Sequence, residues 1–363
     1  MALANSTWEQ HWRALLGISA ETAQGVVAAG AILVILFGVI IPAVGVVSYL
    51  FRKLGADLQA RVGPNQAGAA GFLQGLADLL KLLQKQKMKS EVTSAESQRE
   101  GSFWYFGHTL VLYSSLAVLP LGSVFLFVNT DMSAFLPFIA ALAAVLATLF
   151  SGVARGGVAS FLGVFRVSAQ AVAGAVPALF ALLCAGLGAG GFRWEAMAKA
   201  QGFYPWSWRV FVNPFELLAF LVFFASGMVL LSIPPFSSAH PSSDLRGGVL
   251  SGVFGRRFAW LSFSRTYALF LWSLISVVMF LGAWNLPGFL DGAPERERWV
   301  FVLELIVVLS KTVSLMLLAG WIERASPRLR TDHVTDLVWW VFMPAALVAL
   351  IGTALWERLW GGP

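Results

Sequence analysis

The sequence predicts an all-α integral membrane protein with about eight transmembrane helices and one amphipathic helix on the cytoplasmic side. Three observations carry this. Hydrophobic residues are 58% of the 363 and charged ones only 12%, about half the charged share of a soluble domain; mean hydropathy is +0.75. The apolar residues fall into eight blocks, each at or near the roughly 20 residues that cross a bilayer. Lysines and arginines gather in every second connection between those blocks.

Residues 1–22 are mixed, and Trp8 and Trp12 mark a short interfacial segment. No basic start runs into a short apolar core with a small-residue cleavage site, so no secretory signal peptide is expected. A single membrane domain is expected over 23–363. Its spans are 26–50, 106–128, 135–153, 167–187, 212–233, 267–282, 300–321 and 338–355. All must be helical, because lipid cannot satisfy an irregular backbone. Pro120 should kink the second. The fourth is rich in Gly and Ala and should pack closely on a neighbour.

The connections at 61–102, 154–166, 234–266 and 322–337 are expected on the cytoplasmic side. The odd-numbered loops hold Arg52, Lys53, Arg61, Lys81, Lys85, Lys87, Lys89, Arg99, Arg155, Arg166, Arg246, Arg256, Arg257, Arg265, Arg324, Arg328 and Arg330. Opposite them stand only Arg13, Arg193, Lys199, Arg209, Arg296, Arg298 and Arg358. The positive-inside rule then puts both termini outside. The net charge of +6 therefore reflects membrane topology rather than nucleic-acid binding.

Soluble-type chemistry is absent from the pattern. Cys184 is the only cysteine, which rules out an intramolecular disulfide or a Cys-based cluster. His11, His108, His240 and His333 are scattered without metal-ligand spacing. No phosphate loop or nucleophile elbow is present, and no paired helix interruptions point to an inverted-repeat transporter.

One stretch differs from the rest: RVGPNQAGAAGFLQGLADLLKLLQK, 61–85. Gly63-Pro64-Asn65 is a turn signal. Beyond Gly71, Phe72, Leu73, Leu76, Leu79, Leu80, Leu82 and Leu83 fall mostly on one side of a helix, with Gln74, Asp78, Lys81 and Lys85 elsewhere. A helix lying in the membrane interface with a basic end fits this pattern.

Charges inside the membrane are costly and mark functional candidates. Glu304 and Lys311 lie seven residues apart on roughly one face of span seven, too far for a direct pair. Each should meet another helix or water, and Lys311 is the stronger candidate. Glu216 reads as an interfacial carboxylate open to water at the start of span five. Arg155, Arg256 and Arg257 read as topology residues alone.

The wording of 61–85 is more specific than its pattern. Arg61-x-Gly63-Pro64-Asn65, Gly71, Leu73-Gln74, Ala77-Asp78 and Lys81 resemble the signature loop of the quinone-site membrane subunit of respiratory complex I, the NADH:quinone oxidoreductase. Arg166 with Ala169-Gln170, Pro235-Phe236, Lys311 and the Arg-x-Arg-x-Asp run ending at Asp332 extend the resemblance over most of the chain. It implies a subunit with no redox centre of its own in a bacterial-type inner membrane. Arg61, Asp78, Lys81, Arg166, Phe236, Arg328 and Arg330 would line or brace a quinone chamber. Iron–sulfur clusters would sit only on connecting partner subunits, with antiporter-like and small membrane subunits alongside, and quinone would be the substrate.

The sequence departs from that family at its acids. The family's Glu-Arg-Arg after span one is Phe51-Arg52-Lys53 here. Its Ser-Tyr-Glu after Ala-Gln is replaced within AVAGAV. Its span-five carboxylate is Ser226, its acidic loop reads SSAHPSSD and keeps only Asp244, and a further Tyr/Glu segment reads VLSGVFG. Those are the acids assigned to linking quinone chemistry with proton movement. Their loss leaves two alternatives beside a working quinone-site subunit: a diverged structural anchor without quinone turnover, and the membrane anchor of an energy-converting hydrogenase.

Overall fold

The computed structural model describes residues 30, 34, 38, 40–85, 95–123, 130–154, 158–236, 253, 255–285 and 296–359. The chain divides into two compact units, Met1–Gly45 and Val46–Pro363; the description below concerns the second. The interfacial segment at 1–22, most of the first span, Asp244 and His240 lie outside the described residues.

The described residues are helical, with no strand among them. The helices are α1 (Ile41–Leu58), α2 (Gln74–Gln84), α3 (Ala95–Ser114), α4 (Phe135–Ala154), α5 (Val158–Gly188), α6 (Trp194–Lys199), α7 (Arg209–Val212), α8 (Pro214–Leu230), α9 (Arg256–Phe280), α10 (Arg296–Ala325), α11 (Thr331–Leu337) and α12 (Met343–Leu359). A π-helical turn at Val338–Phe342 joins the last two. Five helical segments, within α4, α5, α9, α10 and the α11–α12 rod, are long and apolar enough to cross a membrane. The chain is therefore a multi-pass helical membrane protein. At 17 residues, α8 spans about 25 Å.

Four boundaries differ from the sequence reading. The expected span at 106–128 is not one kinked helix. α3 ends at Ser114, passes through a 3₁₀ turn at Ser115–Ala117, and leaves Pro120 beyond the helix. Proline disfavours helical geometry in the residue before it. The Ser114 and Ser115 hydroxyls also donate to the carbonyls of Val111 and Leu112, competing for the end of the helix. α5 and α9 begin well before the predicted spans, at Val158 and Arg256, and α10 runs on to Ala325. Arg166, Arg265 and Arg324 therefore sit on helices rather than in loops. Hydropathy falls at a charged residue, but the backbone bonds of a helix do not.

α9 is the buried axis. Every residue from Tyr267 to Phe280 is buried. Trp272 stacks on Phe223 of α8 with ring centroids 4.5 Å apart and donates to the Phe223 carbonyl at 3.1 Å. Gly227 makes room for that ring, since a Cβ there would stand 1.8 Å from its nitrogen. The close neighbour expected for span four is α8: a Cβ on Gly174 would stand 3.0 Å from the Ser226 carbonyl oxygen. Leu146 and Phe150 on α4, and Val348, Ile351 and Leu355 on α12, stay exposed as apolar outer surface.

Each intramembrane charge is absorbed by the fold. Glu216 is fully buried, which corrects the expectation that it faces water. The Arg209 guanidinium donates to both its oxygens at 2.9 and 2.6 Å and to Glu357 at 2.7 Å. One cation thus joins the starts of α7 and α8 to the end of α12. Gly188 lets α5 close over the pair, since a Cβ there would stand 2.0 Å from Glu216 Oε1. Lys311 Nζ donates to the carbonyls of Leu281 and Ala283 at 2.8 and 3.1 Å and lies 4.6 Å over the Trp208 ring. It satisfies carbonyls left open at the end of α9. Glu304 accepts from the backbone N–H of Ser123 at 2.8 Å and from its hydroxyl. As expected, Glu304 and Lys311 meet other segments rather than each other.

The signature stretch folds as a tight turn leading into α2. Gly71 has φ +81, and a Cβ there would stand 2.2 Å from the Pro64 carbonyl oxygen, so only glycine closes it. Tyr49 of α1 holds the turn from below, donating to the Ala70 carbonyl at 2.9 Å and meeting Phe72 edge-on. Arg256 caps the far end of α2 through a 3.0 Å bond to the Leu83 carbonyl, a role beyond topology. Phe72, Leu73, Leu76 and Leu80 remain about half exposed, the face expected of an interfacial helix.

Two outcomes follow. Arg209→Met strands two carboxylates, one fully buried, and should cost roughly 3–5 kcal/mol. It is read as a lowered melting temperature of the detergent-purified protein, whereas Lys199→Met, at an exposed pair, should leave it unchanged. Gly71→Ala should cost at least about 1 kcal/mol locally, seen as faster amide exchange across 61–85 with exchange in α9 unaltered.

Candidate functional site

At the end of α1, the chain turns back on itself. The N–H of Arg61 bonds the Ala56 carbonyl at 2.9 Å, and Ala60 takes φ +51, a left-handed close of the helix. This holds Arg61 beside the last turn of α1. α10 crosses here through two glycines. A Cβ on Gly55 would stand 2.5 Å from the Arg324 side chain, and one on Gly320 2.5 Å from the Phe51 ring. Arg324 lies 5.3 Å over that ring and donates to the Gly320 carbonyl at 2.9 Å.

The crossing leaves a cavity of about 430 Å³ beneath Gly63-Pro64, walled by Arg52, Arg61 and Arg324. A second cavity of about 200 Å³ adjoins it, sharing Arg52 and Arg324 and adding Arg265, Glu323 and Ile233. Arg265 donates to the Ser232 carbonyl at 3.3 Å. Four guanidinium groups therefore converge. Among the described residues, two carboxylates pair with them. Asp78 takes Arg52 and is itself steadied by Gln74 at 3.0 Å; Glu323 lies 3.7 Å from Arg324. The positive charge exceeds the negative, and the walls include the apolar side chains of Val62, Phe51, Ile233 and Leu269. Such a place takes a partly apolar molecule on which negative charge resides or develops.

Of the sequence-predicted chamber residues, Arg61 lines the cavity and Asp78 pairs with a lining arginine. Phe236 is buried but stands outside both cavities, its ring 6.4 Å from Phe342. Arg328 and Arg330 are exposed, in a segment tied to the Pro235 carbonyl through the Leu329 N–H at 2.9 Å; Arg330 faces Asp332 at 3.5 Å. Lys81 and Arg166 are exposed and line neither cavity. Glu216, Glu304 and Lys311 serve the fold elsewhere. In the sequence, Arg52 and Arg265 figure as positive-side charges and Arg324 as part of the charged run after span seven; their convergence comes from three helices that meet only in the fold. Among the described residues, no group of three or more His, Cys, Asp or Glu is placed to hold a metal.

The chain is 29% identical over 347 residues to the H subunit of NADH-quinone oxidoreductase from Anaeromyxobacter dehalogenans, covering 91% of this chain and 81% of that protein. It is 30% identical to the protein of the same name from Chlorobaculum parvum, covering 84% and 85%. It is also 30% identical to the H subunit of F(420)H(2) dehydrogenase from Methanosarcina barkeri, covering 89% and 92%. The model of the NADH dehydrogenase family matches residues 30–354, nearly the whole membrane region, and the chain belongs to that family.

Proposed function

We propose that this chain is the quinone-site membrane subunit of a complex I-like oxidoreductase. The observation that carries the reading is the arginine-walled cavity under the Arg61–Asn65 turn. Its volume suits a small ring, its walls pair apolar surface with fixed donors, and its cations would stabilise a quinol anion as electrons arrive. The isolated chain catalyses nothing. Electrons come from an iron–sulfur cluster on a partner subunit, and antiporter-like subunits adjoin it in a bacterial-type plasma membrane. Both termini lie outside, with the arginine end cytoplasmic. The relatives' names join one kind of subunit to two donors, NADH and F420H2. The donor is then set by the soluble partner rather than by this chain.

The replaced acids favour a second reading, an anchor that holds a soluble module against the membrane subunits without quinone turnover. Point changes in the intact assembly separate the two. Arg61→Ala and Asp78→Asn should each raise the KM for a short-chain quinone about tenfold, roughly the worth of one charge-assisted hydrogen bond. Wild-type quinone kinetics in both variants would overturn the cavity reading, and an assembly that reduces no quinone at all would favour the anchor.

A further inference from the structure

A third cavity, of about 190 Å³, continues the other two inward, sharing Ser262 and Arg265 with the second. Arg52 and Arg324 join the first to the second, so the three form a series from the Arg61 turn into the helix bundle. The innermost is mostly apolar, walled by Leu112, Val145, Val167 and Leu230, and it holds one imidazole, His108 of α3. Nδ1 of His108 lies 2.8 Å from the Ala144 carbonyl oxygen. That oxygen only accepts, so the neutral ring carries its proton on Nδ1. The Thr148 hydroxyl, 2.9 Å from the same nitrogen, itself donates to Ala144 at 3.0 Å. Nε2 is left with a lone pair and no hydrogen-bond partner among the described residues. The groups facing the ring are Arg265 from α9, Tyr105 on its own helix, Thr148 from α4 and Ser232 after α8. α5 contributes no titratable wall. No carboxylate lines this cavity among the described residues, and Glu323 stands one cavity away. Arg265 and Ser262 are accessible at the junction.

We propose that His108 is a proton-binding site fed by water through these cavities. Its bearing on quinone chemistry rests on the function proposed above. A hydrated proton gives up one O–H bond and leaves water as the N–H bond forms at Nε2; that N–H bond breaks, and an O–H bond of the hydrated proton re-forms, when the proton passes back along the cavity series. Reduction of a quinone by two electrons consumes two protons, and His108 supplies them one at a time.

The test uses the intact assembly in lipid nanodiscs. Diethyl pyrocarbonate acylates neutral imidazole, and peptide mass spectrometry separates the histidines, with exposed His333 as the reference. His108 should be modified with a sigmoidal dependence on pH, and Ser262→Trp should cut that modification several-fold while sparing His333. An unmodified His108 beside a reactive His333, or full modification in Ser262→Trp, overturns the proposal. His108→Asn keeps an N–H near Nδ1 for the Ala144 bond but has no base at the Nε2 position. It should lower quinone reduction at least about tenfold and remove a limb of the pH profile. A wild-type rate and profile in His108→Asn would show a purely structural histidine. If the parent assembly reduces no quinone, the proposed function fails, and the labelling alone still decides whether His108 binds protons.

Discussion

An ion or a backbone carbonyl left unpaired in hydrocarbon costs more than almost any packing contact returns. That constraint organises this molecule. Arg209 collects Glu216 and Glu357; Lys311 closes the carbonyls at the end of α9; Ser123 brackets Glu304. None of these side chains lines the arginine cavity. They let an apolar bundle hold charge without opening a path for it, and they tie the starts of α7 and α8 to the end of α12 and close the end of α9.

Against that background the other end of the bundle stands out. There the guanidinium groups of Arg52, Arg61, Arg265 and Arg324 gather around the two cavities with two carboxylates among them. The glycine crossings of α1 and α10 bring Arg324 to the wall, and the left-handed close after α1 brings Arg61. A surplus of fixed positive charge beside apolar surface is costly to assemble, and under the proposed function an electron arriving on a bound ring would relieve it. Arg52 and Asp78 tie the signature turn to this wall, so a disturbance of the loop would reach the cavity directly.

Under the proposed function, the replaced acids and the cavity series bear on one question, where a proton rests. Where an acid relay would hold protons on carboxylates, this chain presents serines, glycines and one histidine with an open nitrogen. Hydroxyls and water can carry a proton, but a stopping point needs a base, which the proposed site supplies as the open Nε2 lone pair of His108.

The helical membrane class, five of the eight apolar blocks, the clustering of cations and the turn at Gly63-Pro64-Asn65 were legible in the sequence. Each is written in local composition, spacing or a short motif, and hydrocarbon allows only one backbone solution for a single apolar block. Helix ends were less legible: α9 and α10 continue through Arg265 and Arg324, where a hydropathy reading stops. The partners of charges were not legible at all. Glu216 looked like an exposed carboxylate because Arg209, itself held by Glu357, reaches it from another helix, and the meeting of Arg52, Arg265 and Arg324 was hidden because their shared walls exist only after three helices cross. Sequence sets what a residue costs in the membrane. Tertiary structure alone decides which distant group offsets that cost, because in a low-dielectric interior the partner is chosen by proximity in space.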